Sequence, residues 1–281
     1  MPAMPQTKCL KFDISHKTQA DGKIRTLATA KVQQTATQYK ADALRSREYI
    51  DAIINKMMTS SNKYGTFGYR AVLFIFGINT GFRCGDILTL RVRDVMNDNG
   101  TISDGFVLTE QKTGKNRTVY FNEAVKTALA WHIENWNLSM DSYLFECRNS
   151  KADYLDEFLY DKNGNVTGMS LTKEKYYMVG DNKYQRLPAP VHRRTASDWI
   201  KDTAEELGIP GHFSSHCMRK TFAHFIGVDW TDEYNSLAVQ KALGHSFAET
   251  TTQFYLTVDE AALKERWLNL NLGLEEFLKH I

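Results

Sequence analysis

The chain has 281 residues, 42% of them hydrophobic and 24% charged, with a formal charge of +2. That balance is ordinary for a globular chain and excludes a largely disordered one, and no apolar run approaches the length of a membrane span. A total of +2 neither requires nor excludes a polyanionic partner, because such binding depends on where the basic residues cluster.

Residues 1–45 mix Lys, Gln, Thr and Ala with few large apolar side chains and are expected to be an arm or the remnant of another region. The first ten residues are polar where a secretion signal needs an apolar core, so a cytoplasmic location is expected. From Ser46 the texture changes, and residues 46–281 are expected to form the main domain. Tyr49, Ile50, Ile53, Ile54 and Met57 recur at helical spacing, and Tyr69 to Ile78 reads as a buried apolar helix ended by Asn79-Thr80-Gly81. A second helix should carry Ile87, Leu88 and Leu90 inward, before a turn at Asn97-Asp98-Asn99-Gly100.

Phe106-Val107-Leu108 and Thr118-Val119-Tyr120-Phe121 flank Lys112-Thr113-Gly114-Lys115, which predicts a β-hairpin with a basic tip, followed by a helix from about Glu123 to Asn135. Residues 148–190 lack clean periodicity and are expected to be an insertion or long loop. Helices are then predicted at Thr195 to Leu207, Ser215 to Gly227, Ser236 to Leu243 and Phe247 to Tyr255, with one amphipathic helix over 260–281. The chain is therefore α+β and mainly α-helical, with a small antiparallel hairpin. Cys9, Cys84, Cys147 and Cys217 form no Cys-x-x-Cys pair and are read as reduced thiols. His212 and His216 stand at i,i+4, but no glutamate follows His212 and Pro210-Gly211 sets it before the helix, so no metal site is expected.

Four blocks carry the chemistry: Thr80-Gly81-Phe82-Arg83-Cys84-Gly85-Asp86-Ile87-Leu88-Thr89-Leu90, His216-Cys217-Met218-Arg219-Lys220, Leu243-Gly244-His245, and Tyr255 ten residues after that histidine. Together, and in this order, they resemble the tyrosine recombinase (phage integrase) family. The resemblance runs from about residue 46 to 260. It implies a site-specific recombinase or integrase that cuts and rejoins DNA strands through a 3′-phosphotyrosyl intermediate, without metal, ATP or another cofactor. It also implies a catalytic set of Arg83, Lys112, His216, Arg219, His245 and Tyr255. Asp86 stands where the family usually has glutamate, and Lys220 where it often has histidine; both replacements are mild.

The chemistry fits those residue types. Two guanidiniums, Arg83 and Arg219, can clamp the charge that builds on the non-bridging oxygens of a five-coordinate phosphorus. Tyr255 needs a base for its phenol, and His216, on one helix face with Arg219 at i,i+3, is the candidate. The resemblance makes Lys112 the proton donor to the departing 5′-oxygen, with Lys115 as the competing choice. His245 would bond a non-bridging oxygen, just ahead of the capping box Ser246-Phe247-Ala248-Glu249 that opens the tyrosine's helix. Asp86 is expected to be a structural acceptor.

Lys115, Arg117, Arg193, Arg194 and Lys220 are expected to contact DNA, with Lys183, Arg186 and Lys201 in the same basic strip. Double-stranded DNA is the expected partner, bound by a homo-oligomer, a tetramer on paired sites, with no membrane association. The family passes a C-terminal segment to a neighbouring protomer, and the stretch with Leu263, Trp267, Leu268, Leu272 and Phe277 is the candidate, packing either there or on its own domain. A type IB topoisomerase is a rival in the same chemistry, disfavoured by the Leu-Gly-His to tyrosine spacing. A DNA-binding module without catalysis is disfavoured by the six filled positions.

Overall fold

The computed structural model describes residues 41–60, 68–109, 116–147, 153–160, 162, 166–227, 239, 242–243 and 260–281. The unit Asp42–Ile281 is built around one helix, Tyr69–Thr80, in which every residue but Arg70 is buried. A helix that is apolar on all sides must be covered on all sides. Here the cover comes from helices Arg47–Thr59, Glu123–Asn135, Arg193–Glu206 and His216–Gly227.

In chain order, α1 (Arg47–Thr59) is capped by the Ser46 side chain, which accepts from the Tyr49 N–H, and it buries the stripe Ile50, Ile53, Ile54, Met57 and Met58. Next, α2 (Tyr69–Thr80) ends at Gly81, whose φ of +64° is the left-handed C-cap conformation. Gly81 also leaves room for a neighbour: a Cβ there would lie 2.3 Å from a ring carbon of Phe222. Where one helix was expected there are two short ones, α3 (Cys84–Leu88) and α4 (Val92–Val95); Ile87 and Leu88 on α3 are buried as expected, and so is Leu90, which lies in the link between them. The Asn97–Gly100 turn closes with the Gly100 N–H donating to the Asn97 carbonyl.

Strands β1 (Gly105–Thr109) and β2 (Asn116–Tyr120) pair antiparallel from Gly105↔Tyr120 to Thr109↔Asn116. Along β2 burial alternates, so Arg117 and Val119 point inward. Helix α5 (Glu123–Asn135) has Asn122 as its cap.

The segment 148–190, expected as an insertion or long loop, contains two antiparallel hairpins. One joins β3 (Tyr154–Tyr160) to β4 (Val166–Thr172) and the other joins β5 (Tyr176–Val179) to β6 (Asn182–Gln185). Then come α6 (Arg193–Glu206) and α7 (His216–Gly227), near the predicted spans. Of the predicted helix Ser236 to Leu243, residues 239 and 242 are helical. The predicted helix Phe247 to Tyr255 lies outside the described residues.

The single helix expected over 260–281 is two, α8 (Glu260–Leu268) and α9 (Leu274–Leu278). Side-chain amides, that of Asn79 fully buried, favour the break. The Asn79 side chain takes both backbone groups of Leu272, donating to its carbonyl at 3.0 Å and accepting its N–H at 2.9 Å. Asn271 accepts the Ala124 N–H at the start of α5. Trp267 donates its indole N–H to the Asn79 carbonyl at 2.8 Å. With Trp267, Leu272 and Phe277 at most 1% exposed, this segment packs on its own domain. Among the described residues, no helix is long and apolar enough to cross a membrane.

Candidate active site

The site starts from how closely α7 approaches α2. At Gly77 a Cβ would fall 2.3 Å from the Met218 sulfur, so a glycine on α2 lets α7 lie close. Three residues after His216, Arg219 therefore reaches the end of α2. It donates from Nη1 to the Gly81 carbonyl at 2.7 Å and from Nη2 to the Leu243 carbonyl at 3.0 Å. One planar cation thus holds together two motif blocks that are far apart in sequence.

From Gly81 the chain runs into Arg83, extended and immediately ahead of α3. The Asp86 and Ile87 N–H groups both donate to the Arg83 carbonyl, which ties the residue to the first turn of α3. Arg83, Cys84, Gly85, Asp86, Arg193, Ser215 and His216 line a cleft of about 380 Å³. The first turn of α7 opens on it, with Ser214 accepting the His216 N–H through its hydroxyl at 3.4 Å. The partial positive charge of that helix end adds to the guanidiniums of Arg83 and Arg193. Ser215 is held by its N–H donating to the Ser197 hydroxyl at 3.1 Å, which joins α7 to α6.

Arg193 is a residue whose place sequence reasoning missed. Read as part of a flanking basic strip, it lies in the cleft beside Arg83 and His216. The run His192-Arg193-Arg194 was a visible signal of positive charge, but only the fold separates its members. Arg194 is not among the residues that line the cleft; its side chain is 86% exposed, with Asp198 4.0 Å away. Lys220 is half-buried on α7 and close enough to His216 to influence its charge.

Arg117 corrects an expectation. Anticipated as a surface DNA contact, it is 5% exposed and directed into the protein, where it donates to the Ala242 carbonyl at 2.7 Å. Asp86, expected as a structural acceptor, is buried on the cleft lining. Lys112, Lys115, His245 and Tyr255 lie outside the described residues, as does the capping box before the tyrosine.

Partial burial of the ring lowers the pKa of His216 below its ordinary 6.5, and Arg193, Arg219, Lys220 and Arg83 lower it further. The imidazole is therefore neutral near pH 7 and able to accept a proton. The unfolded chain takes up the proton first as pH falls, so stability from this group declines below about 6.5 and is recovered as pH rises. If His216 is the base, the strand-cleavage rate should fall as pH drops through its depressed pKa. His216→Gln should lower the rate by on the order of a hundredfold and remove that acid limb. A pH–rate profile of single-turnover cleavage checks this, and an unchanged acid limb in the variant would refute it. Cys84 next to Arg83 is no rival nucleophile, since burial pushes its thiol up to about 11.

The arrangement defines a cationic cleft with a neutral histidine at its rim. Residues 47–262 match the sequence profile of the phage integrase family. The chain belongs to that family, the tyrosine-type site-specific recombinases. It is similar to the probable integrase/recombinase YoeC of Bacillus subtilis (strain 168), 27% identical over 218 residues covering 77% of this chain and 90% of that protein. Similar solved structures include XerH site-specific recombinase bound to difH substrate in a pre-cleavage complex, with TM-score 0.45 and 15% identity, covering 79% of this chain and 52% of that one. Another is the integrase from mycobacterium phage Brujita, with TM-score 0.46 and 14% identity, covering 84% and 59%.

Proposed function

We propose that this chain recombines duplex DNA at specific sites, with Tyr255 attacking the scissile phosphate. The observation that carries the reading is the convergence of Arg83, Arg193 and His216 on one cleft, with Arg219 fastened behind it. In the forward step the Tyr255 oxygen bonds to phosphorus as the bond to the 5′-oxygen breaks. The phenolic proton passes to His216, and Lys112 gives a proton to the departing 5′-oxygen. Arg83 and Arg219 hold the non-bridging oxygens, joined by His245. The 3′-phosphotyrosyl bond conserves the phosphodiester energy, so a 5′-hydroxyl from a partner duplex reverses the step and exchanges strands without ATP.

Residues 46–281 act as the catalytic domain and residues 1–45 as an arm or part of a DNA-clamping region. Recombination proceeds in the cytoplasm on paired sites held by a homo-oligomer, a tetramer. Lys115, Arg193, Arg194 and Lys220 supply phosphate contacts around the scissile position.

The test is a library of nicked duplexes with a randomised core. Cleavage near the nick releases a short 5′-hydroxyl strand, and the protein stays bound to the remainder. A DNA-linked band on denaturing gels, and its sequence, would identify both the reaction and the site. Specific binding to library members without any covalent band would overturn the enzyme reading in favour of a binding module.

A further inference from the structure

We propose that Arg117 is a positioning residue that locks the lysine-bearing hairpin onto the loop presenting Arg83. This rests on the reading of Lys112 as proton donor. Arg117 lies on β2, opposite Leu108 on β1, and the next rung, Thr109↔Asn116, is the last before residues 110–115, which include Lys112. Its guanidinium is buried deep in the protein. Nη1 donates to the Ala242 carbonyl at 2.7 Å and, less closely, to the Thr80 carbonyl at 3.4 Å. The same group lies over the Phe82 ring, 5.2 Å from its centroid. Arg117 thus touches the chain on both sides of Gly81, in the stretch that ends at Arg83.

Arg219 bonds the neighbouring carbonyls, Gly81 and Leu243, from a different element. Two guanidiniums, one from the hairpin and one from α7, therefore take up the consecutive carbonyls of Thr80-Gly81 and of Ala242-Leu243. These stretches lead directly to Arg83 on one side and to Gly244-His245 on the other. A buried cation is costly to desolvate, and a methionine would fill similar volume without that cost. What the guanidinium adds is direction: its bonds set where β2 stands against the Arg83 loop, one rung from the stretch of sequence that includes Lys112. A general acid has to be held within hydrogen-bond reach of its target, so a displaced anchor removes proton transfer while the phosphate clamp stays in place.

The leaving group separates this role from a general structural one. A 5′-thiolate, with a thiol pKa of about 8.5, departs without being protonated, whereas a 5′-alkoxide does not. The site recovered from the library is made in two forms, with oxygen or with sulfur bridging phosphorus to the 5′-carbon at the cleaved position. Single-turnover cleavage is then measured for the full chain and for Arg117→Met, Arg117→Lys, Lys112→Ala and Arg83→Ala.

On the oxygen substrate Arg117→Met is expected to be slower by on the order of a hundredfold. On the sulfur substrate it should return to within about tenfold of the wild type, as should Lys112→Ala, while Arg83→Ala stays slow. Arg117→Lys, which keeps the charge and one donor, should fall between wild type and Arg117→Met, and it carries the same comparison if the methionine variant does not fold. Sulfur rescue of Lys112→Ala without rescue of the Arg117 variants would overturn the positioning role and leave Lys112 as the acid. Rescue of neither would overturn the Lys112 reading and this proposal with it. Wild-type rates in both Arg117 variants on the oxygen substrate would also overturn it.

Discussion

Tyr255→Phe is expected to abolish the covalent protein–DNA adduct, lowering strand cleavage by more than about 10⁴-fold, while binding to the recovered site stays within a few-fold of the wild type. The change removes one oxygen and keeps the ring, so only the atom that would bond to phosphorus is lost. Water cannot replace it to the same effect, because hydrolysis would leave a free strand end and no linkage to rejoin. Denaturing gels for the adduct and mobility shifts for binding make the two measurements. Persistence of the adduct in the phenylalanine variant would transfer the nucleophile to another residue. Loss of binding along with cleavage would mean that the hydroxyl serves recognition or folding.

Much of the framework that holds this site was legible before any coordinates, and particular residues show why. Helix α2 announces itself as an apolar run ended by Asn-Thr-Gly, and Asn122 caps α5 where the sequence placed its start. Burial imposed those patterns, so periodicity could recover them. The β5–β6 hairpin could not be recovered in that way, because all eight of its strand residues are exposed. With no buried face there is no alternation to read. Its signal was the turn Gly180-Asp181, with Gly180 at φ +60°, a two-residue connection suited to a hairpin.

The C-terminal segment misled for the opposite reason. Its apolar residues are buried, but the break between α8 and α9 is favoured by Asn79, nearly two hundred residues earlier. No local window contains that partner. Arg117 and Arg193 changed places on similar grounds. A basic residue on a strand beside a basic turn reads as a surface contact, until the pairing register turns it inward. A basic residue in a charge run reads as a flanking contact, until the first turn of α6 brings it to the cleft. In the site itself, the motif blocks named Arg83, His216 and Arg219, and the geometry adds what separates the two arginines.

That separation yields a second large effect. Arg83 is half-buried and lines the cleft, whereas Arg219 is buried and bonded to the Gly81 and Leu243 carbonyls. Arg83→Ala should therefore lower cleavage by about 10²–10³-fold, the usual cost of one lost donor to developing charge, and cost less stability than loss of the more deeply buried Arg219. Arg219→Ala should lose at least as much cleavage and also destabilise the fold, because two buried carbonyls lose a charged donor at roughly 1–3 kcal/mol each. Arg219→Lys should not restore either property: one ammonium on a flexible stem cannot span two carbonyls in the plane of a guanidinium. Thermal melts run beside single-turnover cleavage distinguish the pair. Equal loss of stability in both alanine variants would refute the division of labour. Full activity in Arg219→Lys would show that the site needs a charge there and not a fork.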